Sequence, residues 1–224
     1  MQDNDAKNII FTGFMGTGKT TVGKLLAEKL GRDFIDTDEL IEERQGLSIP
    51  EIFDKLGESS FRQMEADIAR ELGQKEGLVI STGGRLMLDP VNVAALSASG
   101  RVFCLVATPQ EILSRIEGDT EHHRPLLDVP NPGEQIVELL QERKKGYQRF
   151  LKMTTDEKHP ADITTDLLDF MQKSQTHFAI DIPSYPHEYI VGASAPDCQP
   201  RPQPRRRGGR RTREQLGSFP RFLR

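Results

Sequence analysis

Eight residues, Gly13-Phe14-Met15-Gly16-Thr17-Gly18-Lys19-Thr20, constrain this chain more than any other stretch, because they fit the pattern G-x-x-x-x-G-K-[ST]. Such a loop needs a strand before it and a helix after it. Both are present: Asn8-Ile9-Ile10-Phe11 is a short β-rich run, and Val22, Leu25, Leu26 and Leu30 repeat at helical spacing before Gly31. Glycines let the backbone curl until successive N–H groups point inward as an anion-binding nest, and the following helix aims its positive end at the same place. Lys19 then reaches the β- and γ-phosphates of a nucleotide, and the Thr20 hydroxyl is placed to ligand Mg²⁺. The loop selects a nucleotide but not a reaction, since GTPases, motor ATPases and small-molecule kinases share it.

Beyond the loop, strand-like and helix-like segments alternate. Phe34-Ile35, Leu78-Val79-Ile80, residues 101–107 and residues 150–155 read as further strands. Ser48-Ile49-Pro50-Glu51 has capping-box spacing, residues 58–72 carry a helical pattern ending at Gly73, and Thr108-Pro109-Gln110-Glu111 is another helix start. Residues 134–148 and 160–173 read as helices. Strands separated by helices predict an α/β chain whose parallel sheet is covered on both faces.

Charge divides the chain in two. Residues 176–224 hold nine arginines, no lysine and four acids, a net charge of +5, whereas residues 1–175 carry −9. Half of the 14 prolines also fall in that last segment. An acidic domain over 1–175 followed by a disordered Pro/Arg-rich tail over 176–224 is expected. No apolar run approaches the roughly 18–20 residues needed to span a bilayer, and the opening Met-Gln-Asp-Asn-Asp shows no secretion signal. Two cysteines, Cys104 and Cys198, exclude a disulfide scaffold and a cysteine-based zinc site.

The acceptor side of the reaction has its own candidates. Asp36-Thr37-Asp38 lies at the end of the second strand, where ligands collect in open α/β sheets. One carboxylate there suits a metal-bound water, and the other suits an acceptor hydroxyl. By itself D-x-D is as readily a solvated turn or helix cap. Arg62, after Phe61, is by itself more ordinary as a surface charge. Ser81-Thr82-Gly83-Gly84 offers bare backbone amides to an anion, or a plain strand-to-helix turn.

Taken together, GFMGTGKTT, FIDTDELIEERQGLSIPEIF, GESSFRQME, ISTGG, HRPLL and the Arg143/Tyr147 pair resemble the shikimate kinase family through most of residues 8–173. The resemblance implies a three-layer P-loop kinase fold like that of nucleoside monophosphate kinases, with a five-stranded parallel sheet and a mobile lid, here residues 118–133. It implies transfer of the γ-phosphoryl of ATP to the 3-hydroxyl of shikimate, on the pathway to chorismate and the aromatic amino acids. Gly16, Thr17, Gly18, Lys19, Thr20 and Thr21 would hold the ATP phosphates, Thr20 and Asp36 the Mg²⁺, and Arg115 the adenine. Asp38 would be the base. Arg62, Arg143, Gly83 and Gly84 would bind the substrate carboxylate, Phe53 and Phe61 would wall its ring, and Glu65 would support Arg62. Arg124 would enter with the lid to neutralise the transferring phosphoryl, with His122 and His123 on the lid surface. The resemblance further implies a cytoplasmic monomer acting on ATP and shikimate, with no membrane or nucleic-acid partner for the kinase domain.

Two features depart from the family. Arg85 stands where the strand-three loop usually has a third glycine, so that either a strained backbone or an extra cation near the carboxylate is expected. Residues 176–193, THFAIDIPSYPHEYIVGA, resemble the opening strands of dehydroquinate synthase, as a truncated fusion or a shifted frame would leave. A gluconate or nucleotide kinase, and a non-catalytic ATP-gated binding module with a basic recruiting tail, are the alternatives from other classes.

Overall fold

β1 (Asn8–Gly13) is buried at all six residues, as the central strand of a sheet covered on both faces must be. The computed structural model, which describes residues 6–119, 127 and 129–176, sets it in a five-stranded sheet of order β2-β3-β1-β4-β5. The other strands are β2 (Phe34–Asp36), β3 (Val79–Ser81), β4 (Gly100–Val106) and β5 (Leu151–Thr154). All four pairings are parallel, and the register sets Ile10 beside Ile80 on one side and Val102 on the other. Parallel neighbours need crossovers, here made through α1 (Lys19–Leu30), α2 (Thr37–Gln45), α3 (Ile49–Leu72), α4 (Pro90–Ser99), α5 (Pro109–Glu117) and α6 (Pro132–Tyr147), with α7 (Pro160–Thr176) last.

Side chains that alternate along the strands build two cores. Ile9, Phe11, Val79, Phe103 and Leu105 face Val22 and Leu26 of α1 and Ile163 and Leu167 of α7. Ile10, Ile80 and Cys104 face the opposite way, against Ile41 of α2, Ile68 and Leu72 of α3, Leu96 of α4, Ile112 of α5 and Ile136 of α6. This is the three-layer arrangement expected from the sequence. The charged loops are left at the C-terminal ends of β1, β2 and β3.

Local chemistry sets the helix ends. Glu51 accepts from the Ser48 backbone N–H at 3.0 Å, and Thr108 accepts from the Glu111 N–H at 3.3 Å, so both expected starts are made. Two helices were not read from the sequence. Asp36 caps α2 by accepting from the Asp38 N–H, and Asp89 caps α4 by accepting from the Val91 N–H with Pro90 in the first turn. The start read at Ser48 and the pattern over 58–72 are continuous as α3, which kinks at Gly57, where φ is 81° and ψ 162°. Among the described residues no helix is long and apolar enough to cross a membrane. Of the expected tail, residues 176–224, Thr176 closes α7 and the rest lies outside the described residues.

Candidate functional site

The phosphate loop grows out of β1. Gly16 and Gly18 have φ of 74° and 86°, left-handed values that a side chain would strain. The Thr17 hydroxyl donates to the Phe14 carbonyl at 2.7 Å and the Lys19 ammonium to the same carbonyl at 2.9 Å, which ties the loop's curl to its own residues. No side chain caps α1 at Gly18, and Thr21 in its first turn is exposed.

Asp36 and Asp38 part company at the end of β2. One Asp36 oxygen accepts from the Asp38 N–H at 3.0 Å, and the other accepts from the Thr20 hydroxyl at 2.9 Å. That second bond joins the second strand to the phosphate loop and puts two oxygen ligands of the kind Mg²⁺ takes side by side. Asp38 points elsewhere: its Oδ1 is buried and has no hydrogen-bond partner among the described residues. Burial, with Asp36 and Glu65 nearby and Lys19 only partly opposing them, pushes its carboxyl up to about 7.

Gly83 and Gly84 are where the parts meet. The Gly83 N–H donates to the Thr37 hydroxyl at 2.9 Å, which ties the loop after β3 to the start of α2. A Cβ on Gly83 would sit 2.5 Å from Asp38 Oδ1, and one on Gly84 would sit 3.4 Å from Arg143 Nη1 and 3.7 Å from the Gly13 carbonyl. The Asp38 carboxylate, the Arg143 guanidinium and the phosphate loop therefore converge on one glycine pair. Tyr147 donates to the Gly84 carbonyl at 2.5 Å and holds that pair in place. Arg143 is 4% exposed, lies 5.2 Å above the Phe14 ring and keeps its buried Nε without a partner among the described residues.

The remaining wall comes from α3. Phe53 and Phe61 stack 4.9 Å apart, with the Arg62 guanidinium 5.9 Å and 5.2 Å from their rings. Arg62 Nη1 meets Glu65 at 2.6 Å, and Nη2 meets Glu58 at 3.0 Å. Glu65 is 2% exposed, and burial raises its pKa even though Arg62 opposes the shift. The expected support of Arg62 by Glu65 is therefore present as a contact. Arg85 has φ of −106° and ψ of −14°, an ordinary right-handed backbone, so the strain expected from a missing glycine is absent.

Arg115 is held tightly. It donates to the Thr155 carbonyl at 2.6 Å, the Thr155 hydroxyl at 2.9 Å, Glu111 at 2.9 Å and the Gly16 carbonyl at 3.3 Å. These bonds bring α5 and the loop after β5 against the phosphate loop. Arg124, His122 and His123 lie outside the described residues, as does half of the segment read as a lid.

Sequence reasoning missed three residues of this arrangement. Thr37 lies between the two aspartates and bridges to Gly83, Phe14 sits under Arg143, and Glu58 pairs with Arg62. Only Glu58 left a signal, since it stands four residues before Arg62 on a helix, the spacing at which opposite charges meet.

Comparison with known proteins agrees with this geometry. The family model described as "Shikimate kinase" matches residues 15–172. A shikimate kinase of Geobacter sulfurreducens is 43% identical over 173 residues, covering 77% of this chain and 94% of its own length. One from Thermodesulfovibrio yellowstonii is 49% identical over 143 residues, covering 64% and 82%. Among solved structures, a shikimate kinase from Acinetobacter baumannii in complex with shikimate superposes with a TM-score of 0.70 at 35% identity, covering 78% of this chain and 97% of its own. The five-stranded parallel sheet, its phosphate loop and these matches agree, and the chain belongs to the shikimate kinase family.

Proposed function

We propose that this chain transfers the γ-phosphoryl group of ATP to the 3-hydroxyl of shikimate, giving shikimate 3-phosphate for aromatic amino acid synthesis. The observation that carries the reading is the glycine pair at 83 and 84, against which Asp38, Arg143 and the phosphate loop all pack. It brings a carboxylate for a hydroxyl and a guanidinium for a carboxylate together beside the γ-phosphate seat. Shikimate bears both groups on one small ring.

Gly16, Thr17, Gly18, Lys19, Thr20 and Thr21 hold the ATP phosphates through loop N–H groups, the ammonium and the hydroxyls. Arg115 has its in-plane donors engaged with Thr155, Glu111 and Gly16, so its flat face is what remains for the adenine ring. Thr20 and Asp36 hold Mg²⁺, and their paired oxygens suit that ion. Mg²⁺, when bound, neutralises charge on the β- and γ-phosphates.

Asp38 orients the acceptor hydroxyl and takes its proton. Its pKa of about 7 makes the carboxyl a stronger base than an ordinary aspartate while leaving it substantially ionised near neutrality. Arg143 and Arg62 clamp the substrate carboxylate, where planar guanidinium donors match planar oxygens, and the Gly83 and Gly84 backbone lets the ring approach closely. Phe53 and Phe61 cover the apolar face of the ring. Arg124, carried by the lid segment, neutralises the transferring phosphoryl, and closure of that segment keeps water from competing as acceptor.

The proposal includes a cytoplasmic monomer with two small-molecule substrates. ADP release measured with shikimate, gluconate and nucleoside monophosphates as separate acceptors tests the reading. Release that depends on shikimate alone is expected, and release that depends on either other class would overturn it.

A further inference from the structure

Arg62 enters this site with three of its five N–H donors already engaged. Nη1 is held by Glu65 at 2.6 Å, while Nε and Nη2 both meet Glu58 Oε1, at 3.2 Å and 3.0 Å. A guanidinium grips a carboxylate in a bidentate fork only with two adjacent donors facing it. Glu58 spans the Nε–Nη2 edge and Glu65 holds Nη1, so a substrate carboxylate competes with one glutamate or the other for an edge of Arg62. Glu65 is the wrong one to release: its side chain is 3% exposed, and a buried carboxylate stripped of its cation is costly. Glu58 is 55% exposed and is therefore the one that leaves.

Arg85 reaches that same Glu58 oxygen. Its Nη1 lies 3.5 Å from Glu58 Oε1, its side chain is 45% exposed, and its backbone is unstrained. Resting on the functional reading above, we propose that Arg85 is a positioning residue for the acceptor: it takes over Glu58 when Arg62 turns to the substrate carboxylate. The chain has thus put a cation where a glycine would leave Glu58 to compete with the substrate for Arg62. The charge count agrees. Glu58 and Glu65 together balance Arg62 and Arg85, so the incoming anion meets a neutral cluster instead of a surplus of carboxylate.

The test is a double-mutant cycle on shikimate KM, with direct shikimate binding measured by calorimetry. Arg85→Gly should raise shikimate KM and weaken calorimetric binding by about fivefold, the scale of a part-exposed ion pair, with KM for ATP unaltered. Arg85→Lys should recover most of the loss. In a Glu58→Gln background, where Glu58 no longer competes for Arg62, the same Arg85→Gly step should change KM by less than about twofold. An unchanged or lower KM in Arg85→Gly would overturn the proposal, as would a full fivefold effect that persists without Glu58. If the parent chain neither binds nor phosphorylates shikimate, both this proposal and the functional reading fall. If the parent turns over and Arg85→Gly is silent, only the role of Arg85 falls.

Discussion

Replacing Gly83 with alanine tests the placement of Asp38 without touching its chemistry. The new Cβ would lie 2.5 Å from Asp38 Oδ1 and 3.2 Å from both Cγ and Oδ2, whereas ordinary contact begins near 3.4 Å. The carboxylate must therefore retreat by about 0.9 Å, which its side chain does by rotating while the Asp38 backbone stays tied to Asp36 at 3.0 Å. Gly83 is not in a left-handed conformation, so the methyl adds no backbone strain and the fold should survive. A misplacement of about 1 Å in a positioning group lowers a rate by about 10²-fold, or about 2.7 kcal/mol of barrier. Steady-state kcat with saturating ATP and shikimate, alongside the melting temperature, measures the effect. Gly84→Ala is the comparison: its Cβ would meet Arg143 at 3.4 Å, an ordinary contact, so it should act on shikimate KM through the pocket while leaving kcat at saturation within about threefold of the parent. A Gly83→Ala variant with parental kcat and an unchanged melting temperature would mean that Asp38 does not act from where it sits.

Four further outcomes are expected. Because the carboxylate form of Asp38 is the active one, kcat/KM for shikimate should be full at high pH and fall with unit slope as pH drops through about 7, and Asp38→Asn should abolish that limb and lower kcat by about 10²–10⁴. Arg143→Ala and Arg62→Ala should each raise shikimate KM by at least tenfold, with ATP affinity by calorimetry within about twofold of the parent. Arg124→Ala should lower kcat by about 10³–10⁵ in a single-turnover assay. A chain cut after residue 175 should keep parental kcat and melting temperature, and loss of folding would move the domain boundary.

The sheet and the phosphate loop were legible in the sequence because each is governed by local rules. Short β-branched apolar runs such as Ile9-Ile10-Phe11, closed by a glycine, suit a buried strand better than a helix, and G-x-x-x-x-G-K-T carries its own backbone requirement. Helices α2 and α4 were not legible by apolar period. Few of their residues are buried, only Thr37 and Ile41 in the first and Asn92 and Leu96 in the second, so no stripe stands out. Their caps were the available signal: Asp36 and Asp89 each accept from the N–H two residues on, and Asp89 is followed by a first-turn proline. In the site, residue types were readable but meetings across the fold were not. Nothing in the spacing of Thr37 and Gly83, or of Phe14 and Arg143, announces that they touch, because parallel crossovers bring them together. Asp36 was expected to act toward the metal and Asp38 toward the acceptor. The two carboxylates have different surroundings: Asp36 accepts from the Thr20 hydroxyl, and Asp38 lies against the Gly83 backbone. At Arg85 the sequence left strain and added charge open together, and the observed φ of −106° leaves the second.

The claim on which the rest depends is that one pocket seats a small acidic alcohol with its hydroxyl toward the phosphate loop and its carboxylate toward Arg62 and Arg143. Two-dimensional proton–phosphorus NMR of the product formed from shikimate, ATP and Mg²⁺ reads that orientation directly. A single phosphate ester coupled to the ring proton at carbon 3, formed in step with ADP, is the predicted spectrum. Phosphate on another hydroxyl, or inorganic phosphate released while shikimate stays intact, would contradict it.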